Sequence, residues 1–374
     1  MELFAGAGGM ALGMHRAGYE LLDLVENSEA CCETLRINAD LYGWKNPREL
    51  DARDVTSMDW SAYEGVDLLC AGAPCQPFSR AGRSDGRHDD RNMFGEVVKA
   101  IAVMRPSAFM IENVRGLLFD SHLGYFRSIL ARLRRPTVED PSPVGSEDLY
   151  WLHAPVPGPG DEYRVAFKLL DSADFGLAQR RPRLFIVGIR RDVEAEFEWP
   201  VGGFSRASLI EDLRGKEYWS GREVSAAAKA RARAGLPKKP LKRGGPRWRT
   251  LRDLTDALGP PAERASADGD PWHVIVHGAR LYGKHTGSPI DWVSKTIKAG
   301  VHGSPGGEHI LVRGPKRFRY LTVRECASLQ GFPPEFRPAE LRTPAMRQLG
   351  NAVPVAVAEA VGRALSKTLG VEEE

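Results

Sequence analysis

The chain has 374 residues, 42% hydrophobic and 27% charged, with a formal net charge of +3. That composition is ordinary for a soluble globular protein, and the length allows two domains and a large core. No apolar run approaches the roughly 18 residues of a membrane span, and the N-terminus lacks the basic-then-apolar pattern of a secretory signal.

The five cysteines, Cys31, Cys32, Cys70, Cys75 and Cys326, are odd in number and form no C-x-x-C pair. A disulfide framework and a zinc site are therefore not expected, no metal is assigned, and a reducing, cytoplasmic setting is. The small net charge hides an uneven distribution. Between Gly221 and Thr250 stand ten Lys or Arg against one acid, Glu223, so the rest of the chain is net acidic. Such a concentration suits a polyanionic partner. A solvated charged face or a loose linker fits the same count.

In chain order, Phe4-Ala5-Gly6-Ala7-Gly8-Gly9-Met10-Ala11 reads as a strand end, a glycine turn and a helix through about Arg16. Glycines let backbone approach a ligand closely, and a helix start favours a polar or anionic group. Gly6, Gly8 and Ala11 fit a G-x-G-x-x-G/A spacing. A second strand, Glu20 to Val25, ends at Glu26, about twenty residues on, where a carboxylate can accept from ribose hydroxyls. The pattern indicates a nucleoside cofactor without separating a nicotinamide from S-adenosylmethionine. Only Met1 to Phe4 are available for the first strand. Either that strand is unusually short or the chain starts upstream of this Met.

Ser28 to Asn38 reads as a helix with Ser28 as cap. Asp51 to Val55 follows a short third strand, with Asp54 either at its end or in a turn. Val66 to Ala71 reads as a buried strand. It runs into Gly72-Ala73-Pro74-Cys75-Gln76-Pro77-Phe78-Ser79, where a Pro on each side of Cys75-Gln76 stops the strand and stiffens the backbone. Arg80 to Arg91 reads as a mobile loop suited to a lid, before a helix from about Met93 to Met104.

The strand Ser107 to Ile111 ends in Glu112-Asn113-Val114, and a helix covers about Leu123 to Leu133. Pro136 to Asp161 reads as an insertion loop, and Tyr163 to Leu170 as a strand. Gln179-Arg180-Arg181-Pro182-Arg183 leads into a strand from Leu184 to Ile189. Carboxylate, thiol and guanidinium groups at strand ends fit the rule that open α/β sheets bind ligands along the carboxyl edge.

Regular alternation stops near Trp199-Pro200. The basic run and scattered Trp and His residues then mark a second, smaller, irregular and mostly β domain, with a helix over Ser225 to Ala234. Thr322 and Glu325 form a capping box for a helix that stops at Gly331. Gln348 to Pro354 opens a last apolar helix reaching about Leu369, with Asn351 as a possible cap and Pro354 in its first turn.

Taken together, Phe4-Ala5-Gly6-x-Gly8-Gly9, Pro74-Cys75-Gln76, Glu112-Asn113-Val114, Gln179-x-Arg181-x-Arg183, Arg324-Glu325 with Gln330-Gly331-Phe332-Pro333, and Gly350-Asn351-Ala352-Val353-Pro354 form an ordered set. In order and spacing it resembles the DNA cytosine-5 methyltransferases over about 1–191 and 317–368. The resemblance implies an α/β, Rossmann-like methyltransferase sheet using S-adenosylmethionine. It implies domains at 1–198 (catalytic and cofactor-binding), 199–316 (target recognition) and 317–374 (a return segment completing the first).

Carried over by position, Cys75 is the expected nucleophile and Glu112 the acid at the cytosine ring, with Arg181 and Arg183 holding base and loop. Phe4, Ala5, Gly6, Gly8, Gly9, Glu26, Asp54, Pro74, Asn351 and Ala352 are the expected cofactor contacts. Gln76, Ser79 and Arg91, and the basic-run residues Arg222, Lys229, Arg231, Lys238, Lys239, Lys242, Arg243 and Arg247, are the expected DNA contacts. The chemistry needs a thiolate, so Cys75 is expected to be more acidic than a free thiol, and a Glu112 able to carry a proton. Glu2 stands where the family usually has Asp.

The expected partners are double-stranded DNA and, in a restriction–modification setting, a cognate endonuclease; a monomer is expected. The alternatives are a tRNA cytosine-5 methyltransferase, a nicotinamide oxidoreductase built on the glycine turn, and a DNA-binding regulator without catalysis.

Overall fold

The computed structural model describes residues 1–44, 50–74, 93–137, 160–281, 286–299, 309–339 and 343–371. The elements run β1 (Glu2–Leu3), α1 (Gly9–Arg16), β2 (Leu24–Val25), α2 (Glu29–Ile37), β3 (Leu68–Ala71), α3 (Phe94–Met104), β4 (Ala108–Val114), α4 (Leu123–Arg134), β5 (Tyr163–Asp171) and β6 (Pro182–Arg190). They continue with α5 (Arg206–Arg214), α6 (Ala226–Arg233), α7 (Leu251–Leu258), β7 (Ser288–Pro289), β8 (Ile310–Gly314), β9 (Arg317–Tyr320), α8 (Val323–Leu329), α9 (Thr343–Asn351) and α10 (Val355–Leu369). No helix among the described residues is long and apolar enough to cross a membrane.

The chain divides into two compact units. One comprises Met1–Leu170, Pro182–Pro200 and Ala358–Glu374; the other comprises Asp171–Arg181 and Val201–Val357. The first break after the sheet, at Pro200, falls beside the expected 198/199 boundary. Residues 317–357 lie in the second compact unit, and Ala358–Glu374 lie in the first. Arg319 on β9 makes a bidentate pair with the buried Glu325 of α8, so α8 follows the hairpin.

The first unit is built on the expected α/β sheet, in strand order β2-β1-β3-β4-β6-β5. β2, β1, β3 and β4 are parallel, and β6 runs antiparallel to β4. β3 is buried at all four positions, as a strand covered on both faces must be, and its Leu-Leu-Cys-Ala sequence is apolar throughout. Leu69, Ala71, Phe109 and Ile111 pack with Val97, Val98, Ile101 and Met104 of α3 in one apolar cluster. α10 lies close on α1: a Cβ at Gly362 would stand 2.7 Å from the Met14 methyl and 2.8 Å from Ala17 Cβ.

β1 is short but central. β2 holds only Leu24–Val25 of the expected Glu20–Val25, and Val55–Ser57 forms a single 3-10 turn where a third strand was expected nearby.

The second unit contains the three-stranded sheet β7-β8-β9 and the short helices α5, α6 and α7 beside long irregular stretches. Its core gathers Leu209, Leu213, Tyr218, Trp219, Trp248 and Val293. The Thr322–Glu325 capping box is fully formed. One expectation is corrected: the last helix does not begin at Gln348. α9 ends at Asn351 and α10 begins at Val355, because Pro354 has no N–H to give the Gly350 carbonyl. Asn351 is thus a helix end and not a cap.

Candidate active site

Strand register lines up the candidate groups of the first unit. Leu3 is level with Val25 and with Ala71, and Ala71 with Ile111. The next residues, Phe4, Glu26, Gly72 and Glu112, therefore share one level at the carboxyl edge of the parallel strands. Arg183 enters that edge from the antiparallel side, opposite Val114.

The glycine turn is built with unusual backbone. Phe4, Gly6 and Gly8 all lie at positive φ, 58°, 55° and 75°. For Phe4 this is strained, and strain of this kind concentrates at ligand sites. Gly8 cannot be replaced cheaply, since a Cβ there would lie 2.7 Å from Leu35 and 2.8 Å from the Tyr42 ring. A Cβ at Gly6 would meet nothing within 4 Å, so the turn faces open space. Ala5 is buried and Gly9 begins α1.

Glu26 is fixed by three main-chain donors: Gly6 N at 2.9 Å on one oxygen, and Asn27 N at 3.1 Å and Ser28 N at 2.8 Å on the other. Ser28 stands at the N-cap position of α2 without a side-chain capping bond; its main-chain N–H serves Glu26. Each carboxylate oxygen keeps acceptor capacity for a ligand hydroxyl.

Asp54 is exposed. Thr56 N and Thr56 Oγ1 donate to it at 2.8 and 2.7 Å, and these bonds hold its carboxyl below the ordinary range. Two residues that the sequence did not single out position this stretch. Arg53 N donates to Glu26 O at 2.7 Å, and the Arg53 guanidinium forks onto Asp23 at 2.8 and 2.6 Å.

The strand β3 delivers the chain to half-buried Pro74, and Asn113 Nδ2 donates to Ala73 O at 3.3 Å. This ties the approach to Cys75 to the end of β4. Asn113 was quoted in the motif but given no role. Cys75, Gln76, Ser79 and Arg91, and the expected lid, lie outside the described residues. On β4, Glu112 is buried, and Arg183 Nε stands 3.0 Å from Glu112 Oε1. Cys32, Cys70 and Cys326 are poor nucleophile candidates. Burial pushes the Cys32 and Cys70 thiols up to about 11 and about 12, and the Cys326 thiol higher still.

The C-5 cytosine-specific DNA methylase family matches residues 1–135 and 160–367. The chain belongs to that family. It is 31% identical to the Type II methyltransferase M.NgoMIV of Neisseria gonorrhoeae, over all of this chain and 98% of that one. It is 30% identical to the Type II methyltransferase M.NaeI of Lentzea aerocolonigenes, over all of this chain and 76% of that one. Among solved structures, the S. pombe Dnmt2 methyltransferase superposes with a TM-score of 0.58 at 17% identity, over 98% of this chain and 97% of that one. That likeness shows the shared fold. The chain is thus a DNA (cytosine-5-)-methyltransferase.

In the second unit of this methyltransferase, Arg181 is only 1% exposed. Its guanidinium donates to Ile297 O at 2.9 Å, Gly350 O at 2.8 Å and Ala352 O at 2.9 Å. Gln330 Nε2 donates to Leu349 O and Ala352 O, and Gln179 Nε2 donates to Gln330 Oε1 at 3.2 Å. These side chains take the carbonyls that the end of α9 leaves without helical partners. Arg181 thereby fixes Gly350 and buried Ala352, the residues on either side of exposed Asn351, through their main-chain oxygens. Gln179 and Gln330 belong to the same clamp, and in the sequence only their place inside the motifs marked them.

The basic run divides into two kinds of residue. Arg222 and Arg247 both bind Asp253, at 2.5 and 2.6 Å, and their guanidinium carbons lie 4.3 and 5.0 Å from the Tyr218 ring centre. Arg243 pairs with Asp212 and Glu217. Lys229 lies over Trp219 at 5.7 Å. Arg231, Lys238, Lys239 and Lys242 are exposed. Arg222 and Arg247 are bound within the fold and Arg243 is paired at the surface, whereas Arg231, Lys238, Lys239 and Lys242 face solvent. Thr250 and Asp253 form a capping box for α7, whose signal in the sequence is the T-x-x-D pattern.

Proposed function

We propose that this enzyme transfers a methyl group from S-adenosylmethionine to C5 of a cytosine within a specific sequence of double-stranded DNA. In this reading the target base is swung out of the helix and held through a transient Cys75–C6 bond. The relatives named Type II methyltransferases support DNA over tRNA as the substrate, and support a place in a restriction–modification pair with a cognate endonuclease. Residues 199–316 would carry target recognition.

The observation that supports the reading most is the Glu112–Arg183 pair, 3.0 Å apart at the same sheet edge that leads into Cys75. Cytosine C5 is too weak a nucleophile to attack a sulfonium methyl directly. A Cys75 thiolate adding at C6 makes C5 enamine-like, which splits one hard step into easier ones. Glu112 holds a proton at ring N3, and Arg183 faces O2, where it orients the ring and stabilises developing charge. After transfer the C5 proton leaves, the Cys75 sulfur is eliminated and 5-methylcytosine remains. Extrusion of the base costs roughly a few kcal/mol, which contacts along the DNA backbone must offset.

The turn at Phe4–Gly9 and the tethered Glu26 fit a nucleoside donor: open space at Gly6, a carboxylate oriented by three N–H groups, and Asp54 in the loop joined to Glu26. Bound there, S-adenosylmethionine would supply the electrophilic methyl. Phe4 would stack on its adenine, Glu26 would accept from the ribose and Asp54 from the adenine amino group. Ala5, Gly8, Gly9 and Pro74 would line the site.

The direct test is to express the chain in cells carrying a plasmid and map modified cytosines at base resolution. New 5-methylcytosine in one recurring sequence, absent with Cys75→Ser, is the expected outcome. An unmodified plasmid in the presence of folded enzyme would sink the proposal.

A further inference from the structure

The hairpin β8–β9 carries four cations in a short stretch: Arg313, Lys316, Arg317 and Arg319. Two of the arginines gathered at it are already neutralised. Arg319 forks onto Glu325, and Arg252 of α7 forks onto Asp291. Arg313, Lys316 and Arg317 are exposed, and no hydrogen bond or ion pair joins them to an acid among the described residues. Arg313 sits at a break in the β8–β9 register, between the pairs Val312–Phe318 and Gly314–Arg317.

Partial burial, then the fields of Arg319, Arg252 and Arg317, hold the Arg313 pKa below the ordinary arginine value, with Glu325 the one opposing influence. Lys316 occupies the left-handed region, φ 56°, at a turn position where Gly or Asn sits without strain. A lysine side chain is kept at the tip despite that cost. The helix α6 adds to the same surface, because a Cβ on Gly314 would meet Arg231 Nη2 at 3.1 Å.

A guanidinium crowded by other cations and without an acid partner is stabilised by an external anion. We propose that Arg313, Lys316 and Arg317 of the β8–β9 hairpin, with Arg231 of α6, form one surface that grips the phosphate backbone of duplex DNA. This rests on the DNA-methylating function and assigns the grip to a hairpin that lies outside the basic run. Contacts of this type position the protein and carry no sequence information.

The test uses the full chain and a labelled duplex of about 30 base pairs of random sequence, with affinity measured by anisotropy across a salt series. For Arg313→Ala/Arg317→Ala, the slope of log affinity against log salt is expected to fall by about 1.8, which corresponds to two lost phosphate contacts. The weakening should be uniform across sequences, with the melting temperature and S-adenosylmethionine titration unchanged. Arg313→Lys/Arg317→Lys keeps the charges and should restore the slope. The control Lys99→Ala/Arg363→Ala removes two charges from the sheet unit and should leave it alone. A wild-type slope in the Ala variant, or a change seen with duplex RNA and absent with duplex DNA, overturns the inference. A wild-type enzyme that binds no duplex DNA at low salt would instead overturn the DNA reading itself.

Discussion

The sheet unit and the second unit use charge in different ways. At the sheet edge, Glu26, Glu112 and Arg183 sit at or near the ends of regular strands, and their neighbours follow from register: Glu112 on β4 meets Arg183 on β6 at 3.0 Å. In the second unit, the same residue types are sorted by the tertiary fold. Arg222 reaches Asp253 across 31 residues, and Arg243 reaches Asp212 across 31, while Lys238, Lys239 and Lys242 stay exposed. A density of positive charge therefore identifies a region and not its contacts. Which cations remain free for DNA depends on where the acids fold.

Substitutions on the two sides should separate along this line. The largest effect is expected at Arg183. Arg183→Lys keeps the charge and loses the planar fork, so single-turnover methylation should slow by about 100- to 1000-fold with DNA affinity little changed. Methylation at the wild-type rate would remove Arg183 from the chemistry.

Next comes Asp253→Asn, which leaves Arg222 and Arg247 without their shared carboxylate. Urea unfolding should show a loss of about 2 to 3 kcal/mol. Burial would raise the Asp253 pKa, but hydrogen bonds from Arg247, Thr250 and Arg222 prevail and hold it well below the ordinary range. Its stabilisation is therefore present above the ordinary carboxyl range and is lost as pH falls toward the depressed folded value, where variant and wild type should converge.

A smaller effect distinguishes the two kinds of cation. Lys238→Ala/Lys239→Ala/Lys242→Ala should lower the salt slope of DNA binding by about 0.9 per lost contact at an unchanged melting temperature. Arg247→Ala should lower the melting temperature and leave the slope. The reverse pattern would mean that the paired arginines are the DNA contacts.

The smallest effect concerns Glu2. Burial pushes its carboxyl up to about 8. Between the ordinary carboxyl range and about 8, the folded state keeps a proton that the unfolded chain has lost, so stability falls as pH rises through that window. Glu2→Gln should flatten this trend and gain about 1 kcal/mol at pH 7. An equal pH slope in both proteins would mean that Glu2 is ionised in the fold.

Much of the first unit could be read from sequence because its signals are local and periodic. Apolar runs gave β3, β4 and β6, spacing gave α1, α3 and α4, and glycine spacing gave the turn before α1. The break between α9 and α10 leaves no sequence signal, because Pro354 also suits a first helical turn and the Gly350 carbonyl it strands is taken by Arg181, from far along the chain. Arg53 and Asn113 were missed because each acts through one bond to a main-chain oxygen or a distant acid, which leaves no periodic trace. In the second unit, the free cations of β8–β9 do not stand out in the sequence beside the denser basic run at 221–250.

The central claim is a sulfur–carbon bond between Cys75 and an extruded cytosine, and one trapping experiment reaches it directly. Enzyme, methyl donor and a duplex carrying 5-fluorocytosine at the mapped target position are mixed, and the product is run on a denaturing gel. Fluorine cannot leave as the proton does, so a stable protein–DNA adduct should accumulate whose crosslinked peptide contains Cys75, and Cys75→Ser should form none. Cofactor-loaded enzyme that methylates the unfluorinated site yet yields no adduct, or one joined through another residue, would contradict it.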